Sequence, residues 1–204
     1  MSTVIADISI SLDGYVTGPD PSPTQGLGRG GEGIHGWVLQ HPRSPIDEDI
    51  LATSYENTGA VVLGRNLFDI VDGPDGWNDD IGYGHDQDQT IAPPCFVVTH
   101  QRPDHVRLRS RFQFVTAGVG EAVRLARIAA GSKDVVVMGG ANVIDQSIAA
   151  GLVDRLHIHV SPLLVGSGVR LFTSAGTASL RQRSIVSSPR AVHILYDVIG
   201  EGDR

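Results

Sequence analysis

The chain of 204 residues holds one cysteine, Cys95, and one lysine, Lys133. A single cysteine excludes an intrachain disulfide and suits a reducing compartment, so a cytoplasmic protein is expected. A single lysine leaves Schiff-base chemistry to one residue, and Lys133 sits in an apparent turn. Aromatic residues make up only 5%, and among them Trp37, Trp77 and Tyr55 are the candidates to stack on a planar ligand. No apolar run approaches the roughly 20 residues that span a bilayer, and the N-terminus lacks a basic region followed by an apolar one. Positive charge is in deficit: 16 Lys and Arg against 23 Asp and Glu give a net charge of −7. That balance argues against a nucleic-acid or anionic-membrane partner. His157 and His159 share one face of a strand, but no further Cys, His or acid cluster accompanies them in the sequence, so no metal is expected.

What the chain does have is length for one hydrophobic core, and residues 1–204 read as a single domain. Val135-Val136-Val137-Met138 is an unbroken apolar run, which favours a strand buried on both faces. Gly139-Gly140 follows, and then a helical pattern in which Ile144 and Ile148 lie four apart before Gly151. The first N–H groups of such a helix lack internal partners and carry partial positive charge. Glycine lets a phosphate approach them closely, so this turn is a candidate pyrophosphate site. Ala60-Val61-Val62-Leu63 followed by Gly64-Arg65-Asn66 is a second junction of the same kind. It adds an arginine, the side chain best suited to a terminal phosphate.

Alternation over Thr3 to Leu12 predicts a first strand, broken by the turn dipeptide Asp13-Gly14. Residues 18–36 are rich in Gly and Pro and are expected to form a long irregular loop, with a lid as its functional reading. A literal G-x-G-x-x-G at Gly26, Gly28 and Gly31 is not a dinucleotide fingerprint, because no strand leads into it and prolines precede it. A helix is expected over Asp47 to Asn57, a polar excursion over 72–92, and strands over 94–98 and Phe112 to Thr116. A further helix spans Glu121 to Ala130. Strands Arg155 to Val165, Leu180 to Ser187 and Ala191 to Ile199 follow without helices and are expected to close the sheet as an antiparallel meander. The pattern specifies an α/β protein, a three-layer α/β/α sandwich around a mixed sheet with antiparallel C-terminal strands.

Ser11-Leu12-Asp13-Gly14-Tyr15-Val16, Val62-Leu63-Gly64-Arg65, Val97-Val98-Thr99 and Val137-Met138-Gly139-Gly140-Ala141 recur in this order along the chain. They are continued by Gly151-Leu152-Val153-Asp154-Arg155-Leu156 and by Pro162-Leu163-Leu164-Val165-Gly166-Ser167-Gly168. Together they resemble the dihydrofolate reductase-like superfamily, and within it the reductase domain of the riboflavin-pathway deaminase-reductases. The zinc-deaminase half is absent, since no H-x-E with P-C-x-x-C occurs. The resemblance implies a dihydrofolate reductase-like sheet and an NADPH-dependent reductase that transfers hydride to a small heterocycle such as a pterin or pyrimidine. A homodimer is also implied, with the C-terminal strands and the Leu163 to Phe172 loop as its interface.

By the same resemblance, Gly139, Gly140, Ala141, Asn142 and Val143 would hold the diphosphate, with Met138 before them as a further cofactor-binding residue. Gly64, Arg65 and Asn66 would take the adenosine 2′-phosphate and the adjacent diphosphate, Thr99 and His100 would flank the adenosine, and Ala6, Leu12, Asp13 and Gly14 would line the nicotinamide side. Asp13 and Glu48 are the candidate catalytic acids, the latter beside Asp47 and Asp49 in the first turn of a helix. Two other readings remain open: a non-catalytic NADP(H)-binding or sensor protein of the same fold, and a flavin- or deazaflavin-linked reductase of a different fold.

Overall fold

A computed structural model describes residues 2–200. Met1 and residues 201–204, which the expected single domain includes, lie outside the described residues. Ten strands are present: β1 (Val4–Ser11), β2 (Tyr15–Thr17), β3 (Thr58–Gly64), β4 (Cys95–Val98), β5 (Phe112–Val115), β6 (Asp134–Gly139), β7 (Arg155–Ser161), β8 (Val169–Arg170), β9 (Ser179–Ser187) and β10 (Val192–Ile199). Five α-helices accompany them: α1 (Gly36–Leu39), α2 (Pro45–Asn57), α3 (Arg65–Val71), α4 (Val119–Ala130) and α5 (Ala141–Ala149).

Eight strands form one sheet in the order β5-β4-β3-β6-β1-β7-β10-β9. The pairs among β5, β4, β3, β6, β1 and β7 are parallel, and β10 pairs antiparallel with β7 on one side and β9 on the other. Period-2 alternation divides the sheet into two faces. Ala6, Ile8, Val62, Val137, Leu156 and Ile158 pack with Val123 and Ala126 of α4 and Ile144 of α5. On the other face Val61, Leu63 and Val136 pack with Phe68 of α3 and Tyr55 of α2. This is the three-layer α/β/α arrangement.

Three local features depart from the sequence reading. The segment 18–36 is not wholly irregular. It doubles back on itself through Gly18 N–H to Leu27 O and Arg29 N–H to Pro19 O, then forms a 3₁₀ turn at Glu32–His35 that runs into α1. Burial of Ile34 and Trp37 drives this, with the Trp37 Nε1–H donated to Ser9 Oγ at 2.9 Å. β7 stops at Ser161 rather than Val165. Pro162 has no N–H to continue the ladder, and the Leu163 carbonyl instead accepts from Leu12 N at 2.9 Å. The C-terminal strands do not form a simple meander either. β9 precedes β10 in the chain but lies outside it, at the sheet edge. β10 carries Ile194, Tyr196 and Val198, whereas β9, with Arg181, Gln182 and Arg183, is exposed throughout, so burial favours β10 in the inner place.

Candidate active site

Both glycine junctions open on one side of the sheet, at strand C-termini, where ligands bind in open α/β sheets. They adjoin closely. A Cβ on Gly64 would lie 2.8 Å from Val143 Cγ2 and 4.0 Å from Gly140 N, so only glycine lets β3 end this near α5. Gly139 adopts φ +109, and a Cβ there would come within 3.1 Å of Ile8 Cδ1. Gly140 differs: a Cβ there meets nothing within 4 Å, because its open side faces the cleft. At the start of α5, Val143 and Ile144 donate back to Gly140 O at 3.1 and 3.3 Å. The N–H groups of Ala141 and Asn142 have no partner among the described residues and no side chain caps them. They are the donors a bound anion would use.

The cleft has a volume of about 960 Å³. Of the expected cofactor residues, Gly64, Arg65, Asn66, Thr99 and His100 line it. So do Met138, Gly140, Ala141, Asn142 and Val143. Arg65 Nε holds Asp69 Oδ1 at 2.8 Å and Nη1 reaches Gln101 O at 3.1 Å, contacts that aim the half-exposed guanidinium across the mouth beside Thr99. Gly139 supports the turn from below without lining the cleft.

The remaining expected residues fall elsewhere. Ala6 is buried on the opposite face, against the α4 and α5 layer. Leu12 is 68% exposed, and Gly14 closes a tight turn at φ +87 with its N–H on Ser11 O. Neither expected catalytic acid lines the cleft. The Asp13 carboxylate accepts Ser11 Oγ at 2.6 Å, Val165 N at 3.1 Å and Gly166 N at 2.7 Å. The Ser11 hydroxyl, with those backbone donors, holds its pKa down at about 2. Asp13 therefore ties the 161–166 turn to the end of β1. Glu48 points into solvent on α2.

The buried acid of that helix is Asp47, with no exposed surface. Ser44 caps α2 by accepting from Asp47 N at 3.1 Å and donates Oγ–H to Asp47 Oδ2 at 2.7 Å. The other carboxylate oxygen, Oδ1, lies 3.0 Å from His193 Nε2. A second acid was missed altogether. Asp7 on β1 lies opposite His157 on β7 and lines the cleft with His159. The H-x-H pair thus does have an acid partner, contributed by a strand 150 residues away in sequence. Asp7 Oδ2 is 3.2 Å from His157 Nδ1 and Oδ1 is 3.1 Å from His159 Nε2. Burial opposes ionisation of Asp7, but the two imidazoles outweigh it and hold the carboxyl well below the usual carboxylate range. The ligand-type atoms of Asp7, His157 and His159 all lie within 4.8 Å of one another.

Trp37, Trp77, Tyr55 and Tyr83 complete the far half of the cleft with His35 and His85. All three aromatic candidates from the sequence are therefore present. Trp37 sits over His159, ring centroids 4.3 Å apart. Burial, followed by the charge of His159, pushes His35 down to about 4, so it is neutral at physiological pH. Cys95, at the start of β4, is buried and its thiol is pushed up to about 12. In the native protein it should not react with a thiol-specific disulfide reagent at mildly alkaline pH, and it should react fully after denaturation. Fast labelling of the folded protein would contradict this.

Three comparisons place the chain among known proteins. The uncharacterized protein YyaP of Bacillus subtilis (strain 168) is 24% identical over 176 residues, 83% of this chain and 79% of its own length. A protein of known structure from Shewanella sp. PV-4 superposes with a TM-score of 0.69 at 17% identity, covering 98% of this chain and 100% of the other. A diaminohydroxyphosphoribosylaminopyrimidine deaminase/5-amino-6-(5-phosphoribosylamino)uracil reductase from Thermotoga maritima superposes with a TM-score of 0.58 at 13% identity, covering 97% of this chain and 57% of that one. Likeness at these identities shows the shared fold. The family profile described as the RibD C-terminal domain matches residues 2–194, and with that span, its two glycine junctions and its sheet order, this chain belongs to the RibD C-terminal domain family.

Proposed function

We propose that the chain is an NADPH-dependent reductase that transfers hydride to a small planar heterocycle with a polarised C=N or C=O bond. The observation that carries this reading is the meeting of the two junctions, Gly64-Arg65 and Gly140-Ala141, in one cleft. The unpartnered N–H groups of Ala141 and Asn142 suit a diphosphate, and Arg65 suits the adenosine 2′-phosphate. Thr99 and His100 flank the adenosine in this reading. The cofactor supplies the hydride when bound, and the protein positions it and excludes water.

The relative from Thermotoga maritima is named for a phosphoribosylated substrate. Arg65 is the sole arginine or lysine among the described residues of this cleft, and it is taken up by the cofactor. The other half is walled by Trp37, Tyr55, Tyr83 and histidines. That chemistry favours an unphosphorylated heterocycle, stacked on an aromatic face and hydrogen-bonded at its edge.

Both tryptophans line the cleft, so NADPH should quench their fluorescence at lower concentration than NADH does. Equal responses, or none, would sink the cofactor assignment. Arg65→Ala should cut the preference for NADPH over NADH about tenfold, the loss of one charge-assisted hydrogen bond. An unchanged ratio would remove Arg65 from the 2′-phosphate.

We also propose a homodimer. Edge strand β9 exposes Leu180, Ile185 and Val186, and the loops before and after β8 expose Leu164 and Phe172. An uncovered apolar edge of this kind invites pairing with a second copy. Light scattering should give twice the chain mass, and Ile185→Arg should shift it toward the monomer. A wild type that is monomeric at high concentration would refute the dimer.

A further inference from the structure

The sheet face under α1 and α2 is polar where an apolar layer is the default. Asp7 and Ser9 of β1 lie opposite His157 and His159 of β7, and β10 sets His193 opposite His159. From Asp47 on α2, an unbroken series of contacts crosses this face to the cleft. Asp47 Oδ1 to His193 Nε2 is 3.0 Å, His193 Nδ1 to His159 Nδ1 is 2.7 Å, and His159 Nε2 to Asp7 Oδ1 is 3.1 Å. One end, Asp47, is fully buried, and the other, Asp7, lines the cleft together with His159.

Each of these three contacts requires one hydrogen between its heavy atoms. Ionised carboxylates bring none, and two neutral imidazoles bring one each. With Asp47 fixing His193 as the Nε2–H tautomer, His193 Nδ1 must accept from His159 Nδ1–H. His159 Nε2 then faces Asp7 Oδ1, lone pair to lone pair. One additional proton completes the series, and its place is at the end that touches the cleft. A second is resisted: burial, followed by the charge of His159, pushes His193 down to about 4.

We propose that this Asp47–His193–His159–Asp7 series is the proton source of the cleft, the completing proton lying between His159 Nε2 and Asp7 Oδ1. The proposal rests on the reductase reading above. In the reduction of a C=N bond the carbon gains the hydride, the π pair moves to nitrogen, and nitrogen gains this proton, with the nicotinamide oxidised in balance. The series is then left with two hydrogens over three contacts until a proton returns from solvent. Asp7 and His159 are the catalytic pair, and His193 and Asp47 are positioning residues.

The other groups that face the series do not supply this proton. His157 Nδ1 is committed to Asp7 Oδ2 at 3.2 Å. His35, from the 3₁₀ turn before α1, is neutral. Tyr83, from the 72–92 excursion, has its phenol raised by burial. Against its burial, Ser188, Ser44 and His193 beside Asp47 hold its carboxyl below the usual carboxylate range, Ser44 by donating Oγ–H to Oδ2. Trp37 covers His159 while its own N–H is spent on Ser9. Burial lowers the affinity of His159 for the proton below the ordinary histidine value, while the charge of Asp7 and its hydrogen bond, which His35 lacks, hold the proton there against that burial. The donor form exists below that lowered pKa and is lost as pH rises through it.

The test is imidazole ¹⁵N NMR of the intact protein through a pH titration, with NADPH quenching read on the same samples. His159 and His193 should titrate as a coupled pair that takes up one proton in its first step. Asp47→Asn removes the charge at the far end and should move that step down by about one pH unit. NADPH quenching should hold. Should Asp47→Asn fail to fold, His193→Gln should leave His159 titrating as an isolated imidazole beside Asp7. For any pterin or pyrimidine that the wild type reduces, the alkaline fall of kcat should shift with the NMR step while KM for NADPH stays fixed. Independent titration of the two histidines, or a step unmoved by both variants, overturns the series. Absence of NADPH quenching in the wild type with the coupled step intact overturns the reductase reading, and with it the use of the proton.

Discussion

Gly140→Val is expected to leave the fold intact and to weaken NADPH roughly 100-fold, the cost of a side chain forced into space the ligand needs. Gly140 has φ −69, which any L-residue adopts, and a Cβ there meets no protein atom within 4 Å. Its neighbours are not so free. Gly139 lies at φ +109 against Ile8, and Gly64 lies against Val143, so substitutions there would disturb the sheet itself. Only at Gly140 does the added side chain enter the cleft rather than the core, over the N–H groups of Ala141 and Asn142. Titration of the variant by tryptophan quenching, alongside its melting temperature, separates the two effects. Native stability with undiminished NADPH affinity would move the diphosphate away from this turn.

Asp145→Ala is expected to destabilise the protein by about 3 kcal/mol. For a chain of this length that is a fall of roughly 10 °C in Tm. Asp145 has no exposed surface, yet its carboxylate accepts three consecutive backbone N–H groups, Phe172 at 3.1 Å, Thr173 at 2.9 Å and Ser174 at 2.8 Å. The Thr173 and Ser174 hydroxyls add two more donors at 3.2 Å. Alanine would strip all of these at once from the connection between β8 and β9. Because Asp145 lies on α5, the same change loosens the helix whose N-terminus is the proposed anion site. NADPH should therefore recover part of the lost Tm, since a ligand that binds only the folded state stabilises it. Asp145→Asn keeps one acceptor oxygen and should be milder. A loss of under about 1 kcal/mol in the alanine variant, within the range of a single ordinary hydrogen bond, would mean the loop is held by other contacts.

The parts of the site legible in the sequence are those made by neighbouring residues. A β-branched run, a glycine and a helical pattern are contiguous in Val135–Ile148 and again in Ala60–Ile70, and ten of the fourteen expected cofactor residues line the cleft. The acids were not legible. Asp13 sits in a strong turn dipeptide, and the structure spends its carboxylate on the turn. On α2 three consecutive acids look alike in sequence, and only packing against β10 distinguishes buried Asp47 from exposed Glu48. Trp37 and Ile34 gave no periodic signal amid glycines and prolines, so the turn they anchor was hidden.

The strand-glycine-helix junctions and the α/β layering are local properties, because both follow from backbone freedom at glycine and from the spacing of apolar residues within one segment. Tertiary structure decided the rest. It brought Asp7, His157, His159, His193 and Asp47 together from β1, β7, β10 and α2. Alternation specifies which face each residue takes, but which strands become neighbours depends on burial and connection across the whole chain, and only that pairing brings their polar atoms within hydrogen-bond reach.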